Sequence, residues 1–341
     1  MIVEDFKMKN LVFGKTGLNV SQIALGTGNF GTGWGYGASI EESKSILDQY
    51  LNAGGNFIDT ADVYQFGQSE QILGDLLQGI RNEVILATKF SSGTSPDANQ
   101  FHKGNSRKAM FYSVEQSLRR LKTDYIDIYW VHHPDNMTPS EEILRGLEDL
   151  SRAGKILYAG LSNFPAWRVS RAVTLAELKN TVPIAAVQFQ HSLVYREPET
   201  DLIPASKALE LGMVTWSPLG GGMLTGKYRK GETGRAEGFG GKVFQSENTA
   251  QRTNILDTVL KISNEIGISA DQVAIAWAST HGTVPIIGPK SLTQLQSNLN
   301  AVNVLLSNQH IAQLDAVSNI PSLAERIPIY QGELITPLTP A

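Results

Sequence analysis

The stretch Gly54-Gly55-Asn56-Phe57-Ile58-Asp59-Thr60-Ala61-Asp62-Val63-Tyr64 holds a short apolar segment that ends on a carboxylate, with a tyrosine five residues later. The two leading glycines are typical of the end of a helix. Phe57 and Ile58 predict a buried strand, with Asp59 at its carboxyl end. An Asp in this place is also a common helix N-cap, so the stretch alone leaves two interpretations open.

Segments of this kind recur along the chain, and each is followed by helical spacing. The strands are nearly continuous apolar runs, which is typical of parallel strands buried on both faces. Eight strand–helix units in 341 residues favour an α/β fold of the (β/α)8 TIM-barrel type over an open doubly wound sheet. The predicted strands are 22–26, 56–59, 83–89, 125–131, 156–161, 185–189, 213–216 and 283–287.

Three further segments complete the predicted organisation, a single domain over residues 1–341. Residues 11–20 read as an N-terminal β-hairpin, and 307–317 as an extra C-terminal helix. The Gly-rich segment 219–248 is too long for a simple connection and predicts a mobile loop that covers a cofactor. Capping boxes are predicted at Ser39 with Glu42 and at Thr138 with Glu141. Gly26 to Gly31 spells G-x-G-x-x-G, but the next helix has its own cap, so we interpret that match as coincidental.

Composition excludes several classes of function. The composition, with 41% hydrophobic residues, 18% charged residues and a net charge of −4, predicts a soluble protein without a nucleic-acid surface. The absence of cysteine excludes disulfides, thiolate metal sites and Cys nucleophiles. No signal peptide and no membrane-length apolar run is found, so a cytoplasmic location and no membrane partner are expected. The oligomeric state cannot be read from the sequence.

Four titratable residues follow three neighbouring predicted strands. Asp59 and Tyr64 come after the second strand, Lys89 ends the third and His132 follows the fourth. Active sites of such barrels lie at the carboxyl ends of the strands. A nearby ammonium stabilises a phenolate, and a carboxylate keeps a buried ammonium paired. The four groups together suit protonation of a carbonyl oxygen, although each alone is more often structural.

Two other kinds of chemistry fit the sequence less well. A Schiff-base aldolase would use Lys89 as its nucleophile, but Asp59 is expected to keep that amine charged. A metal-dependent hydrolase would need ligands on one face of a strand, whereas His132 and His133 are adjacent and point apart. No metal is therefore expected.

Ordered motifs spread over almost the whole chain carry a family resemblance. The chain resembles the aldo-keto reductase superfamily, in the branch that includes potassium-channel β subunits and many bacterial reductases. The matching stretches are 13–18, 24–28, 56–64 with 69–70, 87–89, 124–132, 154–164, 216–228 and 287–290.

The resemblance implies reduction of an aldehyde or ketone by NADPH, with the small-molecule carbonyl compound as the partner. It implies a catalytic tetrad of Asp59, Tyr64, Lys89 and His132, with Tyr64 as the general acid. It also leaves open a regulatory subunit that binds the cofactor with little turnover.

The same resemblance implies the residues that hold the cofactor. Lys stands at 290 where relatives often carry Arg, and Ser297 stands where many carry Glu, so NADH remains an alternative to NADPH. The cofactor set comprises Ser162, Asn163, Gln188, Trp216, Ser217, Leu219, Gly220, Gly222, Lys227, Gly288, Lys290, Gln294 and Asn298. The substrate pocket is expected to use Phe30, Trp34, Tyr36, Phe90, His133 and the tail after Val317, which suits apolar or sugar-like substrates.

Overall fold

The strands of the barrel follow one another around a closed sheet. The computed structural model describes residues 8–232 and 245–320, in which eight parallel strands close in the order β10-β3-β4-β5-β6-β7-β8-β9. This confirms the predicted (β/α)8 barrel. Its strands are β3 (Ala24–Gly26), β4 (Phe57–Asp59), β5 (Ile85–Phe90), β6 (Ile126–Val131), β7 (Ile156–Ser162), β8 (Ile184–Gln190), β9 (Gly212–Trp216) and β10 (Val284–Ile287).

Ten described helices pack around the strands or follow them. Most of them turn an apolar stripe toward the outer face of the sheet, whereas Leu256, Trp277 and Leu314 of the later helices pack together in a separate cluster. Within the described residues, no helix combines the length and apolar character needed to cross a bilayer. The helices are α1 (Ile40–Asn52), α2 (Gln68–Leu76), α3 (Arg107–Leu121), α4 (Ser140–Arg152), α5 (Ala166–Lys179), α6 (Leu202–Ala208), α7 (Ala250–Ile266), α8 (Ala270–Ser279), α9 (Leu292–Asn300) and the extra C-terminal α10 (Asn308–Val317).

Alternation along each strand separates the two faces of the sheet. In β5, Ile85 and Ala87 belong to the cluster inside the barrel, while Leu86 and Phe90 belong to the layer between sheet and helices. Lys89 therefore follows the inward set. The same alternation brings the last inward residue of each strand to the carboxyl end of the barrel.

The predicted N-terminal hairpin closes the opposite end of the barrel. Strands β1 (Asn10–Val12) and β2 (Asn19–Ser21) pair antiparallel, and Phe13 packs edge-on against Phe57 with ring centroids 5.8 Å apart. A Cβ at Gly212 would lie 2.7 Å from the Phe13 ring, so this close approach requires glycine. The carboxyl end is left for the site.

Two local predictions have different outcomes at helix starts. Ser39 and Glu42 form the capping box expected for α1. The box predicted at Thr138 and Glu141 is wrong, because Pro139 occupies the N-cap of α4. The Thr138 hydroxyl instead donates to Asp135 Oδ2 at 2.9 Å.

The segment predicted as a mobile loop over 219–248 begins with ordered structure. Gly220–Thr225 and Lys227–Lys230 form two 3₁₀ turns. Its residues 233–244 lie outside the described part of the chain, and so does the tail from 321 onward that was expected to line the substrate pocket.

Candidate active site

A buried lysine lies at the centre of the predicted tetrad. Lys89 is fully buried, and its ammonium donates to Asp59 Oδ1, to the Thr60 carbonyl at 2.8 Å and to Tyr64 Oη at 3.1 Å. Burial by itself lowers the pKa of Lys89, but the paired Asp59 and the adjacent Tyr64 raise it above its ordinary value. The lysine is therefore an ammonium that already contacts the tyrosine oxygen.

Asp59 is held on both of its oxygens. Oδ1 accepts from Lys89, and Oδ2 accepts from Gln188 Nε2 at 2.8 Å. Burial raises the pKa of Asp59, while Lys89 and Gln188 lower it. The carboxylate thus works as a fixed partner for the ammonium, which excludes the helix-cap interpretation of Asp59.

His132 is the third side chain that faces the tyrosine. Its ring lies edge-on to the Tyr64 ring with centroids 6.1 Å apart, and only 8% of the residue is exposed. Burial, with Lys89 and His133 nearby, places the pKa of His132 well below its ordinary value. A neutral imidazole with one N–H is thereby available beside the phenol, and its Nδ1 has no hydrogen-bond partner among the described residues.

Amide and indole groups surround this tetrad. Asn163, at φ 60°, donates to the His132 carbonyl at 2.9 Å and to Ser162 Oγ at 3.1 Å, and its Oδ1 accepts from Trp216 Nε1 at 3.0 Å. The predicted carboxamide-binding residues are thus assembled at the ends of β7, β8 and β9. Gln188 differs from the other residues of this group, because its Nε2 already donates a hydrogen bond to Asp59.

The turn after β9 brings backbone and cations together. Gly220, Gly221 and Gly222 all have positive φ, and Gly221 N–H donates to Ser217 Oγ at 3.0 Å. A Cβ at Gly222 would lie 2.9 Å from Lys227 Cε, so the lysine stem lies directly on this backbone. Leu219 begins the turn and accepts from the Gly222 N–H.

Two lysines lie close enough to affect each other electrostatically. Burial lowers the pKa of Lys227, Glu232 opposes that shift, and Lys290 adds to it. Lys290 Nζ also lies 4.5 Å from the centroid of the Tyr36 ring. Neighbouring cations, one of them packed on a glycine turn, suit a ligand with several phosphate charges, so the residues present fit a nicotinamide dinucleotide.

The remaining cofactor candidates lie around the start of α9. Gln294 Oε1 accepts from Lys290 N–H at 2.9 Å, and the Gly288 carbonyl accepts from Asn29 Nδ2 at 2.7 Å. Asn298 is buried and donates to Asp271 Oδ2 at 2.7 Å. The amide of Asn298 therefore connects α9 to α8.

The structure brings only part of the predicted substrate pocket to the site. Trp34 meets the Tyr64 ring edge-on at 6.0 Å, and the exposed His133 stacks on His132 at 4.2 Å. Phe30 and Phe90 are fully buried. Phe90 stacks on Tyr129 in the layer between sheet and helices because it follows the inward Lys89, so Phe30 and Phe90 line the core rather than a pocket.

Sequence reasoning missed Asp62, Gln65 and Phe66, which flank the tyrosine. Asp62 is buried, and burial with the nearby Glu70 raises its pKa to about 8. Gln65 and Phe66 both adopt left-handed backbone conformations. The only sequence signal was their position beside Tyr64, because left-handed conformation in a residue other than glycine has no clear pattern.

A second polar cluster lies under the C-terminal helices. Glu199 accepts from His191 Nε2 at 2.8 Å and pairs with Arg196 at 2.6 Å, and His281 lies 3.7 Å away. These histidines and the carboxylate could together reach one cation. Arg196 already supplies the positive charge opposite Glu199, whereas His191 Nδ1 has no hydrogen-bond partner among the described residues.

Comparison with known proteins relates the chain to one family. The profile of the Aldo/keto reductase family matches residues 22–319. An aryl-alcohol dehydrogenase [NADP(+)] of Phanerodontia chrysosporium is 35% identical, over 88% of this chain and 83% of its own. An uncharacterized oxidoreductase of Bacillus subtilis is 34% identical, over 91% and 96%. A probable voltage-gated potassium channel subunit beta of Oryza sativa is 33% identical, over 91% and 95%.

Proposed function

The chain belongs to the aldo/keto reductase family, and on that premise we propose that it reduces an aldehyde or ketone with NADPH, using Tyr64 as the general acid. The observation that carries the proposal is the buried Lys89 ammonium, which contacts both the Asp59 carboxylate and Tyr64 Oη, the latter at 3.1 Å.

Each residue of the tetrad has a separate task in this reaction. The nicotinamide, when bound, supplies the hydride that reaches the carbonyl carbon. Tyr64 donates its phenolic proton to the carbonyl oxygen, and Lys89 stabilises the negative charge left on the phenol oxygen. The neutral His132 donates an N–H to the same carbonyl oxygen and so orients it. Asp59 takes no proton, because its task is to keep Lys89 charged.

The cofactor is held by the opposite half of the barrel end. Asn163 and Ser162 would face the carboxamide, and the Trp216 ring would lie against the nicotinamide. The glycine turn and Lys227 would face the pyrophosphate. Lys290 would face a 2′-phosphate, and this point charge is our reason to prefer NADPH to NADH.

The proposed substrate is an apolar carbonyl compound that carries a ring. Trp34 meets the Tyr64 ring edge-on and His133 stacks on His132, so aromatic rings border the site, and a relative named for aryl alcohols is 35% identical. Aromatic side chains pack well against flat rings at centroid distances of about 4.5–7 Å.

The test is to mix the protein with NADPH and a panel of aromatic and aliphatic aldehydes, and to follow cofactor absorbance. Tyr64→Phe should lower kcat by about 100-fold or more, since general acid catalysis contributes roughly 10²–10⁴-fold. Its Kd for NADPH should stay within about twofold. Tyr125→Phe is the matched control, because that hydroxyl bonds Asn82 outside the barrel. A Tyr64→Phe variant that kept most of its turnover would refute the assignment.

A cofactor-binding regulatory subunit is the second candidate, because a relative named as a channel subunit is 33% identical. Tight NADPH binding without turnover of any carbonyl compound would favour it. The Schiff-base alternative fits poorly, because the raised pKa of Lys89 leaves no neutral amine for attack.

A further inference from the structure

The residue after the proposed general acid has an unusual backbone and a buried side chain. Gln65 adopts φ 51° and ψ 34°, and Phe66 adopts φ 55° and ψ 40°. Two successive residues other than glycine in this region are strained, and such strain persists only where the surroundings enforce it. Gln65 is fully buried, so its surroundings are the protein itself.

The Gln65 amide is saturated by backbone groups of one loop. Its Oε1 accepts from the Trp34 N–H at 2.9 Å, and its Nε2 donates to the carbonyls of Gly28 at 2.9 Å and Tyr36 at 3.0 Å. All three partners belong to the segment that follows β3. One side chain thus ties both ends of this segment to the residue beside Tyr64.

A second glutamine holds the same segment from the start of α2. Gln68 Oε1 accepts from the N–H groups of Thr32 and Gly33, both at 3.0 Å. Gln65 differs from Gln68 because it bonds the backbone of Trp34 itself and immediately follows Tyr64.

The segment held by Gln65 carries one side chain beside the proposed acid, Tyr64, and another beside Lys290, a proposed cofactor residue. The Trp34 ring lies edge-on to Tyr64 at 6.0 Å and to Phe66 at 6.4 Å. The Tyr36 ring lies under the Lys290 ammonium at 4.5 Å. Any shift of the 28–36 backbone would move the Trp34 ring relative to the Tyr64 hydroxyl.

We propose that Gln65 is a positioning residue: its strained backbone aims a buried amide at the 28–36 segment and thereby fixes Trp34 as the wall of the substrate pocket. This inference rests on the proposed function. The Tyr64–Lys89 contact does not depend on the amide, so losing the amide should weaken substrate binding more than the chemical step.

The decisive variant is Gln65→Gly, because glycine accepts positive φ without strain and removes only the side chain. With benzaldehyde as the probe, KM should rise about tenfold or more while kcat changes by less than about threefold; tenfold corresponds to ~1.4 kcal/mol, the scale of one or two net hydrogen bonds. Gln78→Ala is the matched control, because among the described residues that amide bonds only the Gly74 carbonyl in α2. Unchanged KM in a folded glycine variant would overturn the proposal.

Hydrogen exchange gives a readout that needs no turnover. Mass spectrometry of a peptide spanning 29–38 should show exchange about tenfold faster in Gln65→Gly than in the wild type, since the Trp34 N–H loses its acceptor. Equal exchange in the two proteins would refute the proposal, whether or not the wild type reduces a carbonyl compound. Faster exchange in Gln65→Gly, found together with a wild type that reduces no carbonyl compound, would refute only the proposed reaction.

A third variant reports on the amide donors. Gln65→Glu keeps an acceptor for Trp34 but, when ionised, turns negative oxygen toward the Gly28 and Tyr36 carbonyls. Burial favours the protonated acid, which can donate one of the lost bonds. The ratio of kcat/KM between this variant and the wild type should therefore rise as pH falls from 8 to 6. A ratio that falls as pH is lowered would contradict the assigned bonds.

Discussion

Replacing Asp59 by asparagine separates what the buried ion pair does for stability from what it does for turnover. The carboxylate and Lys89 are both at most 1% exposed, so water cannot replace either partner. Asp59→Asn keeps the size of the side chain and its neighbour Gln188, but it removes the charge opposite the ammonium.

The expected loss of stability follows from that burial. Leaving one buried charge without its partner costs about 3–5 kcal/mol, or a fall in Tm of ~4–7 °C for a chain of this size. The sign of the pH dependence also changes. In the wild type the pKa of Lys89 is raised, so its contribution is full below its unfolded pKa and is lost as pH rises through its raised folded pKa. In the variant burial lowers the pKa of Lys89, so stability should rise as pH increases toward about 10.

The assay is urea unfolding at pH 7 and pH 9.5, with turnover measured in parallel. The double variant Asp59→Asn with Lys89→Met should regain much of the lost stability, because it leaves no buried charge without a partner. It should stay inactive, because no ammonium remains at Tyr64 Oη. The reasoning fails if the single variant loses less than about 1 kcal/mol, or if the double variant is no more stable than the single one.

Three other perturbations follow from the same structure. Asp62→Asn should gain stability relative to the wild type between pH 5 and pH 8, as urea titrations would measure. A carboxyl whose folded pKa is about 8 costs the wild type ~1.4 kcal/mol of stability for each pH unit between its unfolded pKa of about 4 and its folded pKa. Glu199→Gln should lose about 1–3 kcal/mol at pH 7 and little near pH 2, because the pKa of Glu199 is lowered to about 2 and its contribution disappears as pH falls through that value. Lys290→Met should raise the Kd for NADPH about tenfold or more and leave the Kd for NADH within about twofold, as fluorescence titration would reveal; equal effects on both cofactors would contradict a 2′-phosphate contact.

The fold was largely readable because the signals that specify it are local. Apolar runs at 57–58, 85–87 and 126–131 mark strands buried on both faces, and glycines such as Gly54 mark helix ends. Closure of the sheet then follows from the number of units. The failure at Thr138 has a local cause as well, because Asp135 competes for the hydroxyl that would have capped the helix.

The sequence predicted only those parts of the site that the strand ends determine. Lys89 and Phe90 are adjacent in sequence, yet one points into the barrel and the other toward the helices. Which alternate residues of a strand face inward depends on the register of the closed barrel. For this reason Phe90 was wrongly expected beside the substrate. The contact of Gln188 with Asp59 joins residues 129 positions apart, and only the assembled barrel reveals it.

Hydrogen bonds on both faces hold the strand that carries Lys89. They explain how the fold keeps this buried cation at one defined position. On the inner face Lys89 bonds Asp59, Thr60 and Tyr64. On the outer face its neighbour Thr88 donates to Glu70, whose other oxygen accepts from Arg120 Nε at 2.7 Å. A strand in which adjacent residues bond in opposite directions cannot slip by one position without breaking both sets of bonds. The ion pair between α2 and α3 therefore helps to fix the register of the strand that carries Lys89.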